Sequence, residues 1–202
     1  MTIENPKRCW WCGDDPLYVR YHDEEWGRPV VDDIGLFERL SLEGFQAGLS
    51  WITILRKREN FRAAFAGFNF EKIARFTEKD VQRLLADQTI VRHAGKITAT
   101  INNAQRAIDL RDEFGSLYKY FKQFIVKPDQ SVSYNLDDIK SRTMTKESIA
   151  LSKDLRARGF KFVGPTTMYA LMQATGMVND HVEECFVRTD VEKARRCDTL
   201  IL

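Results

Sequence analysis

KESIALSKDLRARGFKFVGPTTMYALMQATG, running from Lys146 to Gly176, decides how the chain folds. Ile149, Leu151 and Leu155 build an apolar helical face that leads to Gly159, a residue suited to stopping a helix. A second helix begins near Pro165, which a first turn tolerates, and stops at Gly176. Between the two lies Gly159-Phe160-Lys161-Phe162-Val163-Gly164, room only for a tight hairpin. Two glycines around a short apolar turn let backbone amides point outward beside a helix start, an arrangement suited to phosphate. Lys153, Arg156, Arg158 and Lys161 would surround it with positive charge. The plainer alternative is an interhelical turn with solvated basic neighbours.

Helical spacing recurs outward from this stretch. Asp33 can cap a segment presenting Ile34, Phe37, Leu40 and Phe45, and Ser50 one presenting Trp51, Ile54, Leu55, Phe61 and Phe65. Thr77 with Asp80 imitates a capping box ahead of Val81, Leu84 and Leu85. Ile97, Ile101, Ala104 and Ile108 share one helix face, and Leu117, Phe121, Phe124 and Ile125 make another. Lys127 to Thr145, with Pro128, is polar and aperiodic and reads as a connector. Alternating runs and internal repeats are absent, so the chain is all-α, and residues 1–202 read as a single unit.

At 44% apolar over 202 residues, the chain can bury a core without disulfides. Its 31 basic and 29 acidic residues nearly cancel, so a polyanionic partner must be met by local patches rather than by net charge. No apolar run approaches membrane-spanning length, and Met1 to Arg8 lacks a signal-peptide core, so a soluble, cytoplasmic protein with no membrane partner is expected, as a monomer. In that setting cysteines serve as thiols, core residues or metal ligands.

Cys9 and Cys12 lie near the start and Cys185 and Cys197 near the finish. His181 and Cys185 are spaced i, i+4, which on a helix places both at metal-ligand separation, and Cys9 with His22 offers two further ligands. Unrelated core residues would look the same. Cys9 and Cys12 also form a C-x-x-C, readable as a zinc knuckle or, less well without a βαβ setting, a redox pair. All four tryptophans fall within the first 51 residues: Trp10, Trp11, Trp26 and Trp51, with Tyr18, Tyr21 and Glu43 among them. Aromatic walls and a carboxylate suit a flipped nucleobase. A Trp-rich core with Glu43 on a helix surface is the alternative.

These features occur together in one known family. Cys9, Trp11, Asp15-Pro16-Leu17-Tyr18, Tyr21-His22-Asp23 and Glu25-Trp26-Gly27 resemble the opening of 3-methyladenine DNA glycosylase I. Leu42-Glu43-Gly44, Gln46 to Ile52, Lys57-Arg58-Glu59-Asn60, Arg92-His93, Gly159 to Gly164 and Val178-Asn179-Asp180-His181-Val182 follow in the same order. The resemblance implies a helix-hairpin-helix fold, a monofunctional glycosylase acting on double-stranded alkylated DNA with release of 3-methyladenine, and a structural zinc joining the two termini. It implies zinc ligands Cys9, His22, His181 and Cys185. The base pocket would use Glu43 as the catalytic group with Tyr21, Trp11, Trp26 and Trp51 as walls. DNA would be met by Gln46, Gly48 and Leu49 and by Gly159, Lys161 and Gly164. Phe45 and Cys12 depart from the family pattern. Related glycosylases place a catalytic Asp after the hairpin, where Asp180 lies, but the resemblance implies no dependence on it here.

Overall fold

A computed structural model describes residues 6–127 and 134–197, and every regular element among them is helical. After a 3-10 turn at Trp10–Cys12 come α1 (Pro16–Glu24), α2 (Asp33–Gln46), α3 (Trp51–Ala64), α4 (Phe70–Ile73), α5 (Glu78–Ala86) and α6 (Ala94–Phe114). Then follow α7 (Leu117–Phe121), α8 (Leu136–Ser141), α9 (Lys146–Ala157), α10 (Pro165–Ala174) and α11 (Arg188–Cys197).

The middle of the fold is α2, whose residues from Leu36 to Phe45 are all buried. It packs against α3, α6, α7 and α10, which is why even its charged residues Glu38, Arg39 and Glu43 are sequestered. Its cap is Asp32, which accepts from Gly35 N at 2.7 Å, rather than Asp33, which is the first helical residue. Thr77 and Asp80 do form a capping box. Phe45 belongs to the core, its ring 4.6 Å from Phe61.

The polar connector is only partly irregular: α8 falls inside it, while 128–133, including Pro128, lie outside the described residues. Two further helices at the ends, α1 and α11, are too polar to show in the apolar spacing. Asp15 starts α1 by accepting from Leu17 N and Tyr18 N, with Pro16 in the first turn.

The hairpin joins α9 to α10 as expected. Gly159, at φ +88°, ends α9 in the left-handed region, where a side chain would be strained. Gly176, at φ +73°, lets the end of α10 press on the Gly27–Pro29 backbone, since a Cβ there would lie 2.7 Å from Pro29 N. All three nearest atoms are backbone, so none can swing away as a side chain would. Gly176→Ala should therefore cost about 2–3 kcal/mol, read as a lower urea midpoint with unchanged slope.

Candidate functional site

The turn at Trp10–Cys12, α1, the end of α2, the start of α3, α8 and α10 converge on a cavity of about 240 Å³. Its walls are aromatic. Trp11 packs on Trp26 with ring centroids 4.9 Å apart and on Tyr18 at 5.0 Å, and Tyr21 lies 5.4 Å from Trp51. Glu43 reaches the cavity from α2 and is only 4% exposed.

Two polar atoms of this lining are buried and have no hydrogen-bond partner, Glu43 Oε2 and Trp51 Nε1. Leaving such groups unmade costs roughly 1–3 kcal/mol each, so a polar molecule entering the cavity gains by meeting both. Burial pushes the Glu43 carboxyl up to about 8, against the opposing pull of the Arg39 guanidinium. Arg39 sits over the Tyr21 ring at 5.6 Å and is tied to Glu25 at 2.7 Å.

The family resemblance implies one pocket for Glu43, Tyr21, Trp11, Trp26 and Trp51, and all five line this cavity. It adds Trp10, Tyr18, Ile139, Lys140, Arg142, Ala170 and Gln173. Trp10 and Tyr18 stood in the aromatic run. The α8 and α10 residues carry no local mark, because only the tertiary fold brings them opposite Glu43.

A neighbouring cavity of about 220 Å³ shares Glu43 and Gln46 and extends along Ala47, Gly48 and Leu49 to Thr166 and Thr167. The loop after α2 and the start of α10 thus border the same opening. Buried Lys96 holds that loop by donating to Phe45 O at 2.8 Å and Ala47 O at 2.5 Å. Leu49 stays exposed at the tip.

The hairpin differs from expectation in two respects, an inward amide and a paired arginine. Its carbonyls face inward: Gly159 O accepts from Asn102 at 2.9 Å, Lys161 O from Asn103 at 2.9 Å, and Val163 O from Ser152 at 2.6 Å. The Lys161 amide is also turned in, donating to Asn103 Oδ1 at 2.8 Å. Arg158 leaves the basic group as well, paired with Glu113 and Asp154. Lys161 remains exposed.

Behind the pocket, Cys9, His22, His181 and Cys185 are buried with their ligand atoms all within 4.8 Å of one another, a cluster competent to hold a metal ion. His181 and Cys185 do not share a helix. They lie in the turn between α10 and α11, where Cys185 N donates to Val182 O at 2.9 Å. Cys185 Sγ is 3.4 Å from both His22 Nε2 and His181 Nδ1, and Cys9 Sγ is 3.5 Å from His181 Nδ1.

The imidazoles are oriented from outside the cluster. His22 Nδ1 meets Asp23 Oδ1 at 2.7 Å, and His181 Nε2 meets Trp26 O at 3.1 Å, which leaves His22 Nε2 and His181 Nδ1 for the centre. A hydrogen bond from Cys9, with His181 and His22, holds the Cys185 thiol far below its ordinary range. Cys12 stands apart, its Sγ donating to Cys9 O. The cluster also backs the pocket, because Trp26 packs on His181 at 4.6 Å and Trp11 on His22 at 5.3 Å.

A helical scaffold whose aromatic pocket holds a buried carboxyl group suits an enzyme that takes a flat ring-bearing substrate. The chain belongs to the methyladenine glycosylase family, whose sequence profile matches residues 11–188. It is 48% identical over 180 residues to DNA-3-methyladenine glycosylase 1 of Escherichia coli K12, covering 89% of this chain and 95% of that protein. The DNA-3-methyladenine glycosylase of Haemophilus influenzae is 42% identical over 183 residues, covering 90% and 98%. The solved 3-methyladenine DNA glycosylase I of Staphylococcus aureus superposes with a TM-score of 0.83 at 36% identity, covering 90% and 96%. No helix among the described residues is long and apolar enough to cross a membrane.

Proposed function

We propose that the chain acts as a single unit that excises 3-methyladenine from alkylated double-stranded DNA as a monofunctional glycosylase. The observation that carries this reading is the orphaned pair in the aromatic cavity, acceptor Glu43 Oε2 and donor Trp51 Nε1. Adenine offers on its edges both an amino donor and ring-nitrogen acceptors. A base flipped out of the duplex can satisfy both protein atoms while stacking on Trp and Tyr faces.

Methylation at N3 places a positive charge on the base. When the glycosidic bond breaks, its electron pair passes to the base, which leaves neutral without strong acid catalysis. Water captures the sugar cation and loses a proton. Stacking favours the electron-poor cationic ring, and the Glu43 carboxylate stabilises positive charge as it develops nearby. No lysine nucleophile is required. On methylated duplex the products should be free base and an intact abasic strand, with no borohydride-trappable adduct; a trapped adduct would overturn the monofunctional assignment.

The α9–hairpin–α10 unit supports a helix-hairpin-helix reading, with the hairpin gripping phosphate while Gln46, Gly48 and Leu49 enter the gap left by the flipped nucleotide. A Cβ on Gly164 would meet only Arg156 Nη2 at 3.5 Å and Thr167 Oγ1 at 3.9 Å, so the fold admits a side chain there. Outside the fold, that side chain would stand between the amides and the phosphate. Gly164→Val should thus weaken binding to damaged and undamaged duplex alike, and more than Lys161→Ala, which should lower the salt slope by about 1. Wild-type affinity for both variants across a salt series would remove the hairpin from the DNA surface.

The metal cluster fits zinc. A tetrahedral site with Zn–S near 2.3 Å and Zn–N near 2.0–2.1 Å has S···N edges of about 3.5 Å, and the Cys and His atoms stand at 3.4–3.5 Å. Four protein ligands leave no open position, so the ion would be structural, fastening the segment before α1 to the turn before α11.

A further inference from the structure

Asp180 follows the hairpin in sequence and is 1% exposed, yet its oxygens are already committed. Oδ1 accepts from Arg142 Nη1 at 3.1 Å, and Oδ2 accepts from Gln173 Nε2 at 2.9 Å and from the Tyr169 hydroxyl. Three donors on one buried carboxylate leave it fixed, with little capacity to meet a sugar cation. Two of those donors, Arg142 on the loop after α8 and Gln173 on α10, line the cavity that holds Glu43.

A carboxylate only accepts hydrogen bonds, so Asp180 decides which way the Gln173 amide faces: the NH₂ group is bound and the carbonyl oxygen is left over. Gln173 lines the cavity, and with its NH₂ group on Asp180 the carbonyl oxygen is the amide's remaining polar group. The cavity therefore offers a second acceptor besides Glu43 Oε2. Arg142, the nearby cation, has its charge offset by the same Asp180.

We propose that Gln173 is a specificity-determining residue for the base, held acceptor-first by Asp180 as its positioning residue. Two acceptors suit an edge that bears two N–H donors, the exocyclic amino group of adenine. They oppose a purine with a carbonyl oxygen at that place, because acceptor then faces acceptor. The inference rests on the base-pocket reading above and extends it to adenine against guanine.

Titrating tryptophan fluorescence with free 3-methyladenine and free 3-methylguanine tests it. Gln173→Met keeps the length but removes the acceptor, and should weaken 3-methyladenine about fivefold to tenfold while leaving 3-methylguanine within about twofold, narrowing the preference. Asp180→Asn should narrow it similarly with metal retained, and the double variant should add little to either single change, because both act through one atom. An unchanged preference in Gln173→Met, or effects that multiply in the double variant, would overturn the proposal. If Asp180→Asn does not fold, the Gln173→Met ratio decides alone. Wild-type protein without affinity for 3-methyladenine would instead overturn the base-pocket reading, and this inference with it.

Discussion

Glu43→Gln should excise 3-methyladenine about 10²-fold to 10³-fold more slowly than wild type, the scale of losing one preorganised electrostatic group in a dry site. The change preserves volume but removes the negative charge and one acceptor oxygen. Metal content and binding to undamaged duplex should persist, because Glu43 belongs to neither the Cys/His cluster nor the hairpin.

Its pH behaviour should be equally distinctive. The carboxyl is pushed up to about 8 by burial, so in free enzyme the ionised form gains population as pH rises through that value, and kcat/KM should rise with it. A bound cationic base favours ionisation, which should move the limb in kcat to lower pH. Glu43→Gln should show neither limb.

Stability runs the other way. A carboxyl raised from 4.5 in the unfolded chain to about 8 in the fold contributes stability below 4.5 that is lost as pH climbs through 8. Glu43→Gln should thus be more stable than wild type, by a margin that grows across that window. An equal or lower melting temperature at pH 8 would show that the carboxylate is not held at a cost.

The second large effect concerns the metal. If the Cys/His cluster holds zinc as proposed, Cys185→Ser removes one of its four ligands and should release about one equivalent of zinc, lowering Tm by about 10 °C or more. Base affinity should fall as well, because Trp26 and Trp11 lean on His181 and His22. Cys12→Ser should keep its metal, since that thiol bonds to the Cys9 carbonyl instead. Metal lost from Cys12→Ser but kept by Cys9→Ser would reverse the ligand assignment.

The sequence carried these features unequally, for physical reasons. Helices with a buried face were legible, since Ile97, Leu151 and their neighbours repeat at the helical period that burial demands. Short polar helices were not: α8 buries only Ile139, and α11 buries Val191 and Arg195, too few positions to set a period. The spacing of His181 and Cys185 anticipated that the two meet, but through the wrong conformation, because a tight turn also returns residue i+4 toward residue i. Glu43 stood among aromatics in the chain, but its burial follows from the central place of α2, which spacing alone does not give. Gln173 was silent, since its role depends on Asp180 holding the amide in one orientation.

The central claim is that this pocket, acting through Glu43, frees 3-methyladenine, cationic while bonded to the sugar, as a neutral base. Chromatography of the bases released from one methylated duplex, by wild type and Glu43→Gln in parallel with metal content matched, tests it most directly. The account predicts free 3-methyladenine from wild type, almost none from the variant in the same interval, and no unmodified adenine from either. No 3-methyladenine from wild type, or equal release by both, would contradict it.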